Sequence, residues 1–384
     1  MKMQLGTRCT HIGLILGIVL IFWVHLAIAA QPGPIRLAAI LPLSGKADVY
    51  GQAALKGARI AVDEINANGG VIRQKLDLVL YDNQSMPLYT KKAALMAVSQ
   101  NVVGAIGAIW STHSLVTAAV LQQAGVPMIS PGSTAPEVTR VGNFIFRTCY
   151  TDDFQGALMA DFAYRDLNCR KAAIMTNISE TYSQILARYF ADAFTRNGGG
   201  VIFKGNYKGS AIDFSDLLMQ LKHLAPQVVF IPGYSQDAGL LIKQAHIMGI
   251  QTTFIGGDAW DPHIQDFAGP ALEGSYFSTH WHPGVPYKRS HVFIELFKKH
   301  YGNQQISPFA ALAYDAVWLF ADAIGRAASL NKNKIRDALA ATHNYPGATG
   351  DFTFNTNGDP LKKGASILKF SKGRWHFYKA FQPE

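Results

Sequence analysis

The sequence predicts an α/β protein built from two lobes, each with a parallel central sheet. Apolar, β-type runs alternate with helix-period segments of about 10–15 residues along nearly the whole chain, and this alternation is typical of βαβ units. The length of 384 residues exceeds one ordinary domain. With 49% hydrophobic and 16% charged residues, the composition indicates a packed globular protein.

The first strand, loop and helix already indicate a ligand site. An apolar run over residues 35–43 ends in a loop, and a helix-period segment follows over residues 52–66. In open α/β sheets, ligands bind in the crevice beyond the carboxyl ends of the strands. We therefore expect a small-molecule site at this loop, with Ser44 and Tyr50 facing it.

The later elements repeat this alternation. The predicted strands cover residues 35–43, 75–82, 102–109, 127–130, 171–176, 201–207, 228–232 and 253–256. The predicted helices cover residues 52–66, 88–100, 114–124, 182–197, 214–223, 237–248, 290–301 and 309–328. Apolar and polar residues alternate again over residues 367–381, which predicts a closing strand or hairpin.

Two changes in the pattern divide the chain into lobes. An extended run meets a new helix near residues 147–153, and a second break falls near residues 277–282. Two lobes joined by several crossings of the chain would act as a hinged clamp. We expect lobe 1 to contain residues 31–152 and 280–364, and lobe 2 to contain residues 153–279 and 365–384.

The first 30 residues are typical of a secretory signal peptide. Lys2 and Arg8 give a positive start, an uncharged and mostly apolar run follows, and Ala27-Ile28-Ala29 fits a cleavage site. We expect export to the periplasm, with an uncleaved membrane anchor as the alternative. Removal of the peptide lowers the formal charge from +9 to +7. The basic residues that remain are scattered, which indicates no nucleic-acid partner.

Two cysteines, Cys149 and Cys169, remain after the signal peptide. An exported chain can pair cysteines, but the residues between them, 154–167, have a helical pattern that would span about 20 Å. A disulfide requires Cα atoms within about 7 Å of each other. We therefore expect two free thiols.

Two further strand ends carry hydroxyl residues that suit a carboxylate. The strand predicted before residue 110 runs into Ser111, and the strand predicted before residue 131 runs into Thr134. A helix that starts there would offer free N–H groups and the positive end of its dipole. Two such helix starts on neighbouring strands form a carboxylate cradle. Alternatively, both residues only cap helices, since Thr134 and Glu137 also have the spacing of a capping box.

The opposite lobe offers an acid and several aromatic residues at similar positions. Asp258 follows the strand at 253–256, where its carboxylate would suit an ammonium group; an N-cap is the alternative role. Aromatic residues at loops and strand ends can wall an apolar pocket, although each is equally consistent with ordinary packing. The residues in such positions are Tyr50, Trp110, Tyr182, Tyr234 and Trp260.

Several short segments of the chain are shared with one known family. They are Leu41-Pro42-Leu43-Ser44-Gly45 with Gly51 and Gly57, Ile65-Asn66-Ala67-Asn68-Gly69-Gly70, Tyr81-Asp82-Asn83, Thr134-Ala135-Pro136-Glu137, Asp213-Phe214-Ser215 and Gly233-Tyr234. Over residues 35–384 the chain resembles the periplasmic leucine/isoleucine/valine-binding proteins, the type I solute receptors of ABC importers. The resemblance implies two Rossmann-like lobes with parallel central sheets, joined by a three-crossing hinge.

The resemblance also implies roles for the candidate site residues. In that family, residues at the positions of Ser111 and Thr134 bind the ligand carboxylate, with help from the backbone at Gly132. An acidic residue at the position of Asp258 binds the α-ammonium group. The large indole of Trp110 departs from the family pattern and changes the shape of the implied side-chain pocket. The aromatic positions that match the family are those of Tyr50, Tyr182 and Tyr234.

The sequence therefore predicts an exported, monomeric solute-binding protein that delivers an amino acid to the membrane permease of an ABC importer. The resemblance implies a branched-chain or other apolar amino acid. Motifs of common enzymes are missing, so we expect no enzyme, cofactor or metal. His280 and His282 have a metal-site spacing, but we favour a hinge or surface role. Alternative ligands are aromatic acids, short amides and urea, and the alternative role is a soluble sensor for a membrane signalling protein.

Overall fold

The computed structural model describes residues 33–382, and the predicted signal peptide lies outside them. Its first sheet is formed by β1 (Ile35–Leu41), β2 (Leu76–Asp82), β3 (Gly104–Gly107), β4 (Met128–Ser130) and β5 (Ile145–Arg147). The strand order is β2-β1-β3-β4-β5, and every neighbouring pair is parallel. All five strands therefore present their carboxyl ends at the same edge of the sheet.

Nine further strands follow in the later part of the chain, and seven of them form the second sheet. They are β6 (Lys171–Asn177), β7 (Gly200–Tyr207), β8 (Val228–Ile231), β9 (Thr253–Gly256), β10 (Tyr276–Thr279), β11 (Tyr345–Gly347), β12 (Gly350–Phe352), β13 (Ala365–Ser371) and β14 (Arg374–Phe381). The order in the second sheet is β14-β13-β10-β9-β8-β6-β7, while β11 and β12 form a separate ribbon. Strands β6 to β10 are parallel, which confirms the predicted α/β class with two parallel central sheets.

Helices occupy most of the connections between the strands. They are α1 (Asp48–Ala67), α2 (Pro87–Ser99), α3 (Ser111–Gln123), α4 (Asp152–Asp161), α5 (Thr181–Arg196), α6 (Ser215–Leu224), α7 (Ser235–Ile247), α8 (Ile264–Ala268), α9 (Lys288–Tyr301), α10 (Pro308–Ala327) and α11 (Lys332–Ala340). The start of α10 follows the usual rules, because Ser307 caps it and Pro308 occupies its first position. Within residues 33–382, no helix has the length and apolar character needed to cross a membrane.

The predicted strands agree with the structure apart from their ends. Each of the eight is present, and the closing hairpin is confirmed by the antiparallel pairing of β13 with β14. The ends are often shorter than predicted: the strand expected at 102–109 covers only Gly104–Gly107. The sequence pattern did not predict β10, β11 or β12, because runs of three or four residues are too short for an alternation to be recognised.

The chain passes between the two sheets three times: between β5 and β6, between β10 and α9, and between β12 and β13. After the second passage, α10 returns to the first sheet and packs along α1. A Cβ atom on Gly57 would lie 1.8 Å from the carbonyl oxygen of Ala310, so only glycine permits this close approach of the two helices.

The two cysteines are both buried and free, as the sequence predicts. Helix α4 and a π-type turn over Phe162–Asp166 separate Cys149 from Cys169. Burial raises the pKa of the Cys149 thiol to about 12, so this residue stays protonated at neutral pH.

The largest apolar cluster runs through the junction between the two sheets. Tyr50 and Trp110, which belong to the first sheet's loops and helices, share this cluster with Tyr182 and Tyr234 of the second. Each of these residues lies just after a strand, at its carboxyl end. The fold therefore brings the strand ends of both sheets against one another, and the candidate site lies at that junction.

Candidate functional site

A narrow cavity lies where the strand ends of the two sheets meet. The loops after β1, β3 and β4 line it from the first sheet, and those after β6, β8 and β9 line it from the second. Seven of the nine residues predicted for the site line this cavity: Tyr50, Trp110, Ser111, Gly132, Tyr182, Tyr234 and Asp258. The lining is completed by Ile109, Ala259 and Phe309.

Three of these residues, Tyr50, Trp110 and Tyr234, form what we call the aromatic wall. The rings of Trp110 and Tyr234 are stacked, with centroids 3.8 Å apart and planes inclined by 16°. Tyr50 meets both rings edge-on, at 6.2 Å and 6.1 Å. The indole N–H of Trp110 and the hydroxyl of Tyr234 find no hydrogen-bond partner in the part of the chain that the structure describes. Such buried polar groups are available to a ligand.

Polar contacts hold the two sets of strand ends together around the cavity. The Tyr50 hydroxyl donates to the carbonyl oxygen of Ala259 at 2.8 Å and accepts from the Ser235 N–H at 3.0 Å. Glu180, on the second sheet's side, accepts from Lys46 at 3.2 Å and from the Thr112 hydroxyl at 3.1 Å. Burial raises the pKa of Tyr50, so its hydroxyl keeps the proton that it donates.

The first sheet contributes a donor face, formed by Ser111 and the loop at 131–135. Ser111 is the first residue of α3, where backbone N–H groups are free of helical partners. Its hydroxyl oxygen accepts from the Ala135 N–H at 3.3 Å, which ties the helix start to the loop. A Cβ atom on Gly132 would lie 2.7 Å from the Phe309 ring, so glycine is required at this point of the lining. The face is neutral and offers hydrogen-bond donors.

The predicted helix start at Thr134 is wrong. Residues 131–138 form a loop, and the next helical turn is the short one at Thr139–Val141. The reason is the buried Arg147, whose guanidinium donates to the carbonyl oxygens of Ser133 and Ala135 at 2.5 Å and 2.9 Å. These carbonyl groups are satisfied by a side chain rather than by helical hydrogen bonds. The carboxylate cradle therefore has one helix start, at α3, and one loop.

An acid face is formed by Asp258 and Gln155 of the second sheet's side together with Asp152 and His280, which lie at two of the passages between the sheets. Asp258 is buried, and its two carboxylate oxygens lie 2.8 Å from Gln155 Nε2 and 2.9 Å from His280 Nε2. It does not cap a helix, since no side-chain cap bond forms at the 3₁₀ turn it begins. Buried carboxylates require such partners, and these two donors fix the orientation of the group.

Asp152 is a second buried acid near the same point. It is the first residue of α4, and its buried carboxyl group lies beside the Thr134 hydroxyl. Burial raises the pKa of Asp152 well above its usual value, and the like charge of Asp258 adds to this effect. The Thr134 hydroxyl and Arg147 oppose the shift. Asp152 is not part of the cavity lining, whereas Asp258 is.

A family model described as "Periplasmic binding protein" matches residues 34–374. The chain belongs to the periplasmic binding protein family. This membership confirms the resemblance that the short sequence segments indicate, and the two parallel sheets are those of the family's type I fold.

Relatives of this periplasmic binding protein match it over nearly its full length. The leucine-, isoleucine-, valine-, threonine- and alanine-binding protein of Pseudomonas aeruginosa is 30% identical over 346 residues, which are 89% of this chain and 90% of the relative. The leucine-binding protein LivK of Thermotoga maritima has a TM-score of 0.87 and 32% identity, covering 91% of this chain and 99% of its own. LivJ of Streptococcus pneumoniae, solved with isoleucine, has a TM-score of 0.86 and 28% identity, covering 91% and 100%. These relatives are binding proteins and not enzymes, as predicted.

Two residues predicted for the site of this binding protein lie outside the cavity lining. Trp260 is fully buried in the second sheet's core, where its indole N–H donates to the carbonyl oxygen of Ile231 at 3.0 Å. Thr134 is fully buried beside the donor face, one residue before the N–H that Ser111 accepts. Ser44, expected to face the site, instead donates to the carboxylate of Asp82 at 2.6 Å.

Sequence reasoning missed three polar residues of the acid face. Asp152 and Gln155 lie three positions apart on one face of α4, next to the predicted lobe break, and that spacing was the available signal. His280 was noticed only for its spacing with His282, and a surface role for it is wrong because its side chain is fully buried on Asp258. Among residues 33–382, no cluster of three or more histidine, cysteine or acidic side chains is placed to hold a metal ion.

Proposed function

We propose that the protein captures an α-amino acid in the cavity between the two sheets. The observation that carries this proposal is the pairing of a neutral donor face with an acid face across one small cavity. A carboxylate suits the free N–H groups and hydroxyl at Ser111. An ammonium group suits the buried carboxylate of Asp258, which lines the cavity. An α-amino acid carries both groups on one carbon atom.

Two lobes would close on this ligand. Lobe 1 would contain residues 31–152 and 280–364, and lobe 2 would contain residues 153–279 and 365–384. The contacts of Tyr50 with Ala259 and of Thr112 with Glu180 would then form only in the closed state. A ligand that touches both faces favours that state because its contacts are complete only there.

The relatives support an amino-acid ligand and a transport role. The names of the relatives specify leucine, isoleucine, valine, threonine and alanine, and one was solved with isoleucine. In this chain, the closed form would be recognised by the permease of an ABC importer. We further propose that residues 1–30 direct export to the periplasm and that the protein acts as a monomer.

A titration of the purified protein with a ligand panel tests the proposal. The panel contains the common L-amino acids, benzoate, acetamide and urea, and the measurements are tryptophan fluorescence and calorimetry. Saturable binding of one amino-acid class at micromolar concentration is the expected result, since it requires only about −8 kcal/mol.

The other outcomes separate the alternatives. Binding of benzoate alone would retain the donor face and remove the proposed role of the acid face; the aromatic wall is the feature that would favour such a ligand. Binding of acetamide or urea alone would leave both charged groups of the proposed ligand unsupported. The absence of any binding would favour the sensor role over transport.

A further inference from the structure

The space left for a ligand side chain is limited by Trp110. In the proposed pose, the carboxylate and ammonium groups occupy the donor and acid faces, and the space that remains is lined by the aromatic wall together with Ile109, Tyr182 and Phe309. There the indole of Trp110 is in stacking contact with Tyr234 at 3.8 Å, and no gap separates the two rings. A branched side chain would need the room that this stack already fills.

The indole is also held on its other face. His113, itself buried, lies parallel to Trp110 with ring centroids 5.7 Å apart and planes inclined by 6°. Trp110 is only 4% exposed, and Tyr50 closes its edge. A ring that is packed on both faces and along an edge is difficult to displace, because protein interiors are close-packed and transmit strain. Displacement of the indole would therefore require several neighbours to move together.

The aromatic wall separates the inner cavity from a wider outer pocket. The outer pocket has a volume of about 850 Å³ and includes Lys46, Ser210 and Asp237 in its lining. Tyr50, Trp110 and Tyr234 line both spaces. A side chain that starts in the inner cavity meets this wall before it reaches the larger space. The inner cavity is much smaller than the outer pocket.

We infer that the site selects amino acids with the smallest side chains, such as glycine, alanine and serine, and excludes the branched-chain amino acids. This inference rests on the proposed function. Serine fits the wall's chemistry as well as its size, because a hydroxyl can accept from the unpartnered indole N–H of Trp110. Glycine, alanine and the branched aliphatic side chains all leave that N–H and the hydroxyl of Tyr234 without partners, so this contact favours serine, and the size of the cavity excludes the branched side chains.

Calorimetric titration of the wild-type protein with glycine, L-alanine, L-serine, L-valine, L-leucine and L-isoleucine is the direct test. We expect at least one of the three small amino acids to bind about tenfold or more tightly than all three branched ones. Equal or tighter binding of a branched amino acid would overturn the size limit and leave amino-acid capture standing. No binding by any of the six would overturn the size limit, while binding elsewhere in the wider amino-acid panel would still support capture.

A variant of Trp110 tests the cause of the selectivity. In Trp110→Ala, the affinity for L-leucine should rise about tenfold or more, while Trp318→Ala, which removes an indole on α10 away from the cavity, should leave it unchanged. Trp110→Leu, which retains more of the packing, serves if the alanine variant does not fold by circular dichroism. Folded variants whose preference matches that of the wild type would overturn the assignment to Trp110.

Discussion

The two faces of the cavity differ in how the protein satisfies their polar groups. On the donor face, backbone N–H groups and the Ser111 hydroxyl carry no net charge. On the acid face, Gln155 and His280 contact the buried carboxylate of Asp258, while burial raises the pKa of the second acid, Asp152. Unpaired buried charge is costly, while an unoccupied neutral donor costs less. The acid face should therefore carry most of the electrostatic recognition, and the donor face should fix orientation.

The substitution with the largest expected effect removes the carboxylate of Asp258, which Gln155 and His280 contact. Asp258→Ala should weaken amino-acid binding by about 2–5 kcal/mol, because the ligand ammonium group would be buried without this partner. Calorimetry with the best amino-acid ligand measures the loss. The control is Asp192→Ala, which removes an exposed acid on α5. Unchanged affinity in the Asp258 variant would contradict the assignment of the ammonium group to the acid face.

The corresponding change on the donor face should cost less. Ser111→Ala removes one hydroxyl from the carboxylate site, and a hydrogen bond to a charged group contributes about 1.5–3 kcal/mol. The control is Ser99→Ala at the exposed end of α2. If the ligand proves to be an acid without an amine, Ser111→Ala should still weaken binding, while Asp258→Ala should not. A larger loss from Ser111→Ala than from Asp258→Ala would reverse the comparison of the two faces.

The buried carboxyl group of Asp152 should affect how the stability of the ligand-free protein depends on pH. Burial raises the pKa of Asp152 in the folded state, so the folded protein binds more protons than the unfolded chain above about pH 4. Stability therefore falls as the pH rises through this window. Asp152→Asn should remove that fall and raise the free energy of unfolding at pH 7.

Denaturant melts from pH 3 to pH 8 measure this effect. Asp153→Asn is a matched control, because the neighbouring carboxylate is exposed. Parallel stability profiles for wild type and Asp152→Asn would show that Asp152 carries no penalty.

The smallest expected effect concerns the contact that joins the two faces. Tyr50→Phe removes the hydroxyl that bridges to Ala259 and Ser235, which should weaken binding by about 0.5–1.5 kcal/mol through a less stable closed state. The control is Tyr89→Phe on α2, where the side chain is exposed. Small-angle scattering of the ligand-free variant should report a larger radius of gyration than wild type. An unchanged radius and affinity would show that this bridge does not contribute to closure.

Much of the fold could be predicted because its signals are local. The alternation of apolar runs and helix-period segments identified eight strands within a few residues of their ends. The same pattern located Trp110, Ser111 and Asp258 just after strands, and the carboxyl ends of parallel strands meet at one edge. Short strands such as β11 and β12 were missed, since three residues carry too little periodicity.

The loops that face the cavity can be identified from the amino-acid sequence, because the position of a loop after a parallel strand follows from chain order and strand direction. The conformations of those loops and the contacts of their side chains depend on how the whole chain packs. Asp258 meets Gln155 from 103 positions away, and no local pattern encodes that pairing. Arg147 turns a predicted helix start at Thr134 into a loop, and core packing draws Trp260 away from the cavity. Such outcomes depend on which buried polar groups find partners, and this is known only when all the elements are packed together.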